Sequence, residues 1–256
     1  MTDHLLADLE RYYDDVPRAF ARTEEIGPFT LFVTRDPAGW PYYARPRLGY
    51  AGGATVEDVQ AVRARQRELG VPEAFEWVVE NAPDLGPVIA AAGLEPGGYP
   101  LMVLGEREQA APVPAGVRLE LLTADRRDLG AVHGAVGAAF GETDLVEEAA
   151  VSGDLRERIS SGLLRMVGAF DEAGPVGGGS HSPRDGITEL MGIGVVPRAR
   201  QRGVGGAVTA ALVEDARGLG VRTVFLSAGS DRVAAIYGRV GFDRVGTAGI
   251  AEAPAG

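Results

Sequence analysis

The second half of the chain alternates short apolar runs with segments of helical periodicity. Apolar or alternating runs predict six strands, in VRLELLTA, on both sides of the DEAG turn in LLRMVGAFDEAGPVGGGSHS, and in ITELMGIGVV, TVFLS and FDRVGTAGI. Helical spacing predicts helices over 125–140, 145–160, 205–219 and 231–240. Two of these helices carry a continuous apolar face, formed by Val208, Leu212, Ala216 and Leu219 in one and by Val233, Ile236, Tyr237 and Val240 in the other. This alternation predicts an α/β (α+β layered) fold with mixed strand pairing.

The first half repeats part of this order. It predicts a helix over Thr55–Leu69, a strand in AFEWVVE, a helix over Pro83–Ala92 and a strand in YPLMVL. The same helix–strand–helix–strand order ends the second half, so we interpret the first half as a degenerate copy of the second. The alternative is coincidence, because such runs are common in α/β proteins.

A polar stretch rich in proline, glycine and alanine separates the two halves. It runs from Gly105 to Val117 and is typical of a linker. We therefore predict an N-terminal domain over residues 1–110, a linker over 111–116 and a C-terminal domain over 117–256, which are sizes within the usual range.

Composition narrows the classes of function. The net charge of −11 argues against nucleic acid and anionic membranes as partners. The absence of cysteine excludes disulfides and a cysteine nucleophile, and all 25 basic residues are arginine, which excludes lysine Schiff-base chemistry. The three histidines are too scattered for a metal site, so we expect no metal. Acidic residues near the N terminus and the lack of a long apolar run predict a cytoplasmic protein without a membrane span.

One segment concentrates arginine and glycine on this acidic chain. VPRARQRGVGGAV lies between the predicted strand ITELMGIGVV and the helix over 205–219. A helix start offers unpaired backbone N–H groups, and glycine lets an anion approach them. A lysine-dependent phosphate loop is excluded by composition, and the spacing departs from a dinucleotide-binding G-x-G-x-x-G. The remaining alternative is an ordinary tight turn with solvated arginines.

The segment resembles the pyrophosphate loop of the GNAT superfamily of acetyl-CoA-dependent N-acetyltransferases, V-x-P-x-x-R/Q-x-x-G-x-G/A. Here the pattern reads from Val195 to Gly205. A second GNAT pattern, Y-x-x-x-G-F, follows after the next strand, from Tyr237 to Phe242. The resemblance covers about residues 117–251. It implies a mixed, mostly antiparallel sheet with helices on both faces, with the first half as a degenerate GNAT-like copy.

The resemblance also implies where acetyl-CoA binds. The strand over 187–196 would diverge from its neighbour, the pantetheine arm would pair with its backbone, and the diphosphate would sit on the amides that follow. The implied coenzyme-binding residues are Gly194, Val195, Val196, Arg200, Gln201, Arg202, Gly203, Val204, Gly205, Gly206 and Ser230. Ser230 departs from the family pattern, which often has asparagine there, but a serine at this position can still cap the helix.

Acetyl transfer needs a base for the amine and an acid for the leaving thiolate. The resemblance implies Tyr237 as the acid and Glu189 as the base, acting directly or through water. Tyr237 as a core residue and Glu189 as a solvated strand carboxylate are the competing interpretations. His181 is a second candidate base because histidine titrates near neutrality, although its surroundings GGGSHS favour a surface position.

These features predict an N-acetyltransferase that moves an acetyl group from acetyl-CoA directly to a primary amine of a small molecule or peptide. The alternative is a non-catalytic acyl-CoA-binding regulatory module, and a homodimer is one expected state. In the first half, Thr55 is a predicted N-cap followed by Glu57 and Asp58, and Ile89 replaces the tyrosine. We therefore expect that the first copy does not bind coenzyme and that it shapes the acceptor pocket or supports the fold.

Overall fold

A computed structural model describes residues 2–35, 42–50, 52–106 and 111–254, with side chains from His4 onward. The chain forms two compact units. The first runs from the N terminus to Leu101 and takes in Ser227–Asp231 and the residues from Arg244 onward, whereas Met102–Leu226 and Arg232–Asp243 form the second. The polar stretch from Gly105 to Val117 lies partly outside the described residues, at 107–110.

The described residues form seven α-helices, one short 3₁₀ helix and eleven strands. The helices are α1 Thr2–Arg18, α2 Val56–Leu69, α3 Leu85–Ala91, α4 Leu129–Phe140, α5 Gly153–Ser160, α6 Val204–Gly218 and α7 Asp231–Gly238, with the 3₁₀ turn at Pro197–Ala199. The strands are β1 Ala21–Ile26, β2 Phe29–Thr34, β3 Ala44–Pro46, β4 Ala74–Val78, β5 Glu95–Leu104, β6 Arg118–Leu121, β7 Arg165–Asp171, β8 Gly174–His181, β9 Ile187–Val195, β10 Thr223–Ser227 and β11 Phe242–Glu252.

The first unit has a sheet in the order β1-β2-β3-β4-β11, in which only β3 and β4 are parallel. One face packs on α2 and α3 through an apolar core that includes Phe75, Trp77 and Ile89. On the other face, Arg45 of β3 is completely buried against Glu10 of α1. An amphipathic α1 was not predicted, and it covers this second face.

The second unit has a sheet in the order β10-β9-β8-β7-β6, in which only β9 and β10 are parallel. Adjacent glycines of β8 show that helices lie on both faces. Gly178 is approached by Val132 of α4, and Gly179 is approached by Val208 and Leu212 of α6. The mixed, mostly antiparallel sheet with helices on both faces is therefore confirmed.

The predicted repeat is present as an order of elements. The first half contains α2-β4-α3-β5, and the second contains α6-β10-α7-β11. The domain division at 111–116 stays a prediction. In the structure the residues from Arg244 onward cluster with the first unit, because β11 pairs with β4 from Ala248 to Glu252.

The predicted helix over 145–160 is wrong in its first half. Residues 145–152 are not helical, and α5 begins only after Ser152, whose side chain caps it by accepting from the Leu155 amide. The extended segment lies along α4, where the Ala149 amide donates to the Gly130 carbonyl at 3.0 Å. A Cβ on Gly134 would come within 1.9 Å of the Glu147 carbonyl oxygen, so a glycine of α4 permits this close approach.

Two predicted apolar faces are shorter than expected. α6 ends at Gly218, and Leu219 is 52% exposed instead of closing the apolar face. In α7, Ile236 is 41% exposed, and the helix ends at Gly238, before Val240. Val240 is nevertheless buried, at 5% exposure, although it lies beyond the end of the helix.

Candidate active site

The candidate site is built on an unpaired edge of β9. β8 pairs with β9 on one side, with a register shift between Gly178 and Ser180 that places the left-handed residue Gly192 (φ 58°) in the extra length of β9. On the other side, the parallel pairing with β10 runs only from Ile187 to Glu189. In the described part of the chain, β9 has no strand partner on this side beyond Glu189. This divergence is the arrangement that the resemblance implies.

The turn after β9 is shaped by two left-handed residues. Gln201 has a φ of 60°, and Gly203, the N-cap of α6, has a φ of 87°. A left-handed non-glycine residue is uncommon, and such residues concentrate at ligand sites. Gly203 is required at its position because a Cβ would destabilise this backbone conformation by about 1 kcal/mol or more.

The backbone amides of this turn are available to hydrogen-bond a ligand. Within the described residues, the N–H groups from Gln201 to Gly206 have no hydrogen-bond acceptor, and the first intrahelical bond of α6 is that from Ala207 to the Gly203 carbonyl at 3.0 Å. Such amides, together with the positive end of a 15-residue helix, form a site for an anion.

The three arginines of the turn have different surroundings. Arg198 pairs with Asp171 at 2.5 Å. Arg200 donates to the Val195 carbonyl and to two groups at the end of α4. Arg202 is exposed, and it has no ion pair or hydrogen bond with any described residue. The side chain of Arg202 is therefore the one of the three that is available to a phosphate.

Tyr237 lies on α7 beside Phe242, with ring centroids 6.1 Å apart in an edge-to-face arrangement. Burial raises the pKa of Tyr237 to about 12. The phenol therefore keeps its proton at neutral pH and can donate it. The raised pKa also makes the phenol a weaker acid than an ordinary tyrosine, and its role as the acid stays a prediction.

Glu189 lies at the point where β9 leaves β10. It is half-buried and is paired in register with Phe225. Its neighbour Thr188 points toward His181 on the α6 face, so strand alternation directs Glu189 to the opposite face, where α4 packs. Its role as base stays a prediction.

The surface position predicted for His181 is wrong. His181 is completely buried at the end of β8, with Nδ1 3.0 Å from the Thr188 hydroxyl and Nε2 2.9 Å from Oδ2 of Asp215. Asp215 also pairs with Arg165 at 2.6 Å. Burial lowers the pKa of His181, although Asp215 opposes this shift. The sequence signal for this cluster was an acidic residue, Asp215, next to the apolar face of α6.

The other predicted coenzyme residues belong to β9 and to the start of α7. Gly194 is buried against Ala139 of α4, and the Val196 amide donates to the Val176 carbonyl at 2.9 Å. Ser230 is exposed and directly precedes α7. Their roles in binding the coenzyme stay predictions.

The corresponding helix start in the first unit is closed by its own side chains. Thr55 and Asp58 form a capping box, in which the Asp58 carboxylate accepts from the Thr55 amide and hydroxyl at 2.9 Å each. The Thr55 hydroxyl in turn accepts from the Asp58 amide at 3.2 Å. A carboxylate already occupies the position that an anion would take.

Comparison with known proteins agrees with this geometry. Residues 138–242 match the profile of the acetyltransferase (GNAT) family. The GCN5-related N-acetyltransferase from Kribbella flavida is 19% identical with a TM-score of 0.72, covering 98% of this chain and 96% of that one. The GCN5-related N-acetyltransferase from Sphaerobacter thermophilus is also 19% identical, with a TM-score of 0.62 and coverage of 90% and 82%.

A third similar solved structure is a tandem protein. A tandem GNAT protein from the clavulanic acid biosynthesis pathway is 20% identical with a TM-score of 0.54, covering 89% of this chain and 79% of that one. At these identities the likeness shows the fold. A sequence search of curated proteins gave no match.

No helix among the described residues has the length and apolar character needed to cross a bilayer. The matched profile supports an acyltransferase, and residues 138–242 are similar to the acetyltransferase (GNAT) family.

Proposed function

We propose that the protein is an N-acetyltransferase that uses acetyl-CoA and transfers the acetyl group directly to a primary amine of a small molecule or peptide. The observation that carries this proposal is the row of backbone amides from Gln201 to Gly206, which have no acceptor among the described residues and lie next to the unpaired edge of β9. A GNAT-family profile covers the same segment.

Each part of the site has a role in this reaction. The amides of the turn and Arg202 hold the diphosphate, and the free edge of β9 at Val195, between Gly194 and Val196, holds the pantetheine arm. The thioester of acetyl-CoA supplies the activated acetyl group. Glu189, directly or through water, takes the proton of the attacking amine, so that its nitrogen lone pair can form the new C–N bond.

Tyr237 completes the transfer. As the C–S bond breaks, the phenol gives its proton to the leaving thiolate, and the proton held by Glu189 returns to solvent. The chain has no cysteine on which an acyl-enzyme could form, and this favours direct transfer. The cytoplasmic location stays a prediction from composition.

The test is a thiol-release screen with acetyl-CoA against amino acids, polyamines, aminoglycosides and peptides. We expect turnover with at least one amine class, loss of most of kcat in Glu189→Gln, and unchanged kcat in the exposed control Glu172→Gln. Acetyl-CoA binding without turnover across the panel would instead support a non-catalytic acyl-CoA-binding module. Competition by ATP or NAD with equal affinity would indicate a general nucleotide site.

A further inference from the structure

Arg200 occupies the arginine position of the GNAT loop pattern, yet all three of its side-chain nitrogens have acceptors within the protein. Nε donates to the Val195 carbonyl at 2.8 Å, Nη2 to the Ala139 carbonyl at 2.7 Å, and Nη1 to the Glu142 carboxylate at 2.6 Å. A guanidinium presents its donors in a fixed plane. It cannot turn toward a phosphate without breaking these bonds.

The first of these bonds lies at the edge where the coenzyme arm is proposed to bind. The Val196 amide donates to Val176 of β8, so the backbone of Val196 faces β8. Successive residues of a strand direct their N–H and C=O groups to alternate sides, and the carbonyl of Val195 therefore faces away from β8. Arg200 fixes this carbonyl at the unpaired edge of β9.

The other two bonds connect the same guanidinium to α4. Ala139 is in the last turn of α4, where backbone carbonyls lack intrahelical partners, and a cation there is favourable. Glu142 follows the helix in a left-handed conformation, with a φ of 53°. The hydrogen bond from Arg200 lowers the pKa of Glu142, so this carboxylate stays ionised and keeps its attraction for the guanidinium.

We propose that Arg200 is a positioning residue, which holds the Val195 edge of β9 in place for the thioester arm, and that Arg202 alone of the two supplies side-chain charge to the diphosphate. The proposal rests on the proposed function. The two roles differ in chemistry. Arg200 needs only an N–H donor for the carbonyl, whereas Arg202 needs a positive charge for the phosphates.

The experiment compares two ligands that carry the same radiolabelled acetyl group, acetyl-CoA and S-acetylpantetheine, which lacks the phosphates. Dissociation constants are measured by equilibrium dialysis for the wild type and for Arg200→Gln, Arg200→Leu, Arg202→Gln and Arg202→Leu, with Tm recorded for each. Glutamine keeps an N–H donor but no charge, and leucine keeps neither.

We expect Arg200→Leu to weaken both ligands by the same factor, about ten-fold, and Arg200→Gln to restore most of this loss at a similar Tm. Both Arg202 variants should weaken acetyl-CoA by about ten-fold and leave S-acetylpantetheine unchanged. Rescue by glutamine at a similar Tm distinguishes positioning of the Val195 carbonyl from a general loss of stability, which would appear as a lower Tm.

The proposal is overturned if Arg200→Gln and Arg200→Leu lose acetyl-CoA affinity equally while S-acetylpantetheine affinity is unchanged. Glu142→Ala gives a second measurement if the Arg200 variants do not fold. It releases one donor of Arg200, and selective tightening of acetyl-CoA would show that Arg200 seeks the phosphate, whereas no tightening supports positioning. A wild type that binds neither ligand refutes the proposed function itself, so the two failures are distinguishable.

Discussion

The Nε2 atom of His181 lies 2.9 Å from Oδ2 of Asp215, inside the second unit and out of contact with solvent on the histidine side. In the neutral tautomer, Nε2–H donates to the carboxylate and Nδ1 accepts from Thr188. Burial alone would raise the pKa of Asp215, but hydrogen bonds from Arg165 and His181 hold it below its ordinary value. The cluster is a buried polar network that is satisfied when His181 is neutral.

The first prediction concerns the pH dependence of stability at this cluster. Because burial lowers the pKa of His181 in the folded state, the unfolded chain binds the proton more readily. The contribution of His181 to stability is therefore complete above about pH 6.5 and decreases as the pH falls toward the lowered pKa. Urea midpoints at pH 5 and pH 7.5 should differ less in His181→Gln than in the wild type.

The matched control is His133→Gln on α4, where the side chain is exposed. It should retain the pH dependence of the wild type. An unchanged pH dependence in His181→Gln would contradict the buried neutral histidine.

The second prediction concerns Glu76 in the first unit. Burial raises the pKa of Glu76 to about 7, although Arg45 at 3.4 Å and Tyr43 act in the opposite direction. A raised carboxyl pKa stabilises the fold below the unfolded value, and this contribution is lost as the pH rises through about 7. The free energy of unfolding should fall between pH 5.5 and pH 8 in the wild type relative to Glu76→Gln.

Glu95→Gln serves as the comparison because Glu95 is an exposed residue at the start of β5. Its pH dependence should match that of the wild type. If the pH dependence of the free energy of unfolding is the same in Glu76→Gln as in the wild type, ionisation of Glu76 does not destabilise the fold, which contradicts the prediction.

The third prediction concerns coenzyme stoichiometry. Asp58 fills the helix start of the first unit, so calorimetric titration should give one acetyl-CoA per chain. Asp58→Ala should reduce the free energy of unfolding by about 1 kcal/mol through loss of the cap, and the stoichiometry should stay at one. A stoichiometry of two in either protein would show that the first copy retains a coenzyme site.

The fourth prediction concerns Tyr237. Tyr237→Phe keeps the ring that contacts Phe242 and removes only the hydroxyl. Loss of a general acid should lower kcat by about 100-fold and leave the Kd for acetyl-CoA within two-fold, roughly the range expected when no binding contact is lost. Tyr99→Phe, in β5, is the control and should leave kcat unchanged. Full activity in Tyr237→Phe would show that Tyr237 is a packing residue and not the acid.

Several features could be predicted from the sequence because they depend on local pattern. The order of strands and helices from α2 onward followed from hydrophobic periodicity, and the turn from Gln201 to Gly206 followed from glycine and arginine spacing before a helix. The capping box at Thr55 and Asp58 was likewise readable, because a cap depends on residues three positions apart.

Other features depend on contacts between distant residues and were missed. Residues 145–152 have helical periodicity, but their backbone bonds to α4 and packs over Gly134, which overrides local propensity. His181 lies among glycines and a serine, which suggested a surface, yet Asp215, 34 residues away, satisfies it in the interior. Arginine suits both phosphates and carbonyls, so only the positions of Val195 and Ala139 reveal what Arg200 contacts.

The central claim is that the amides from Gln201 to Gly206 bind the diphosphate of acetyl-CoA. A crystal structure of the complex tests it most directly. The account predicts diphosphate oxygens within about 3.2 Å of several of these amide nitrogens, with the pantetheine arm along the free edge of β9. Coenzyme bound at another position while this turn is accessible and unoccupied would contradict the account.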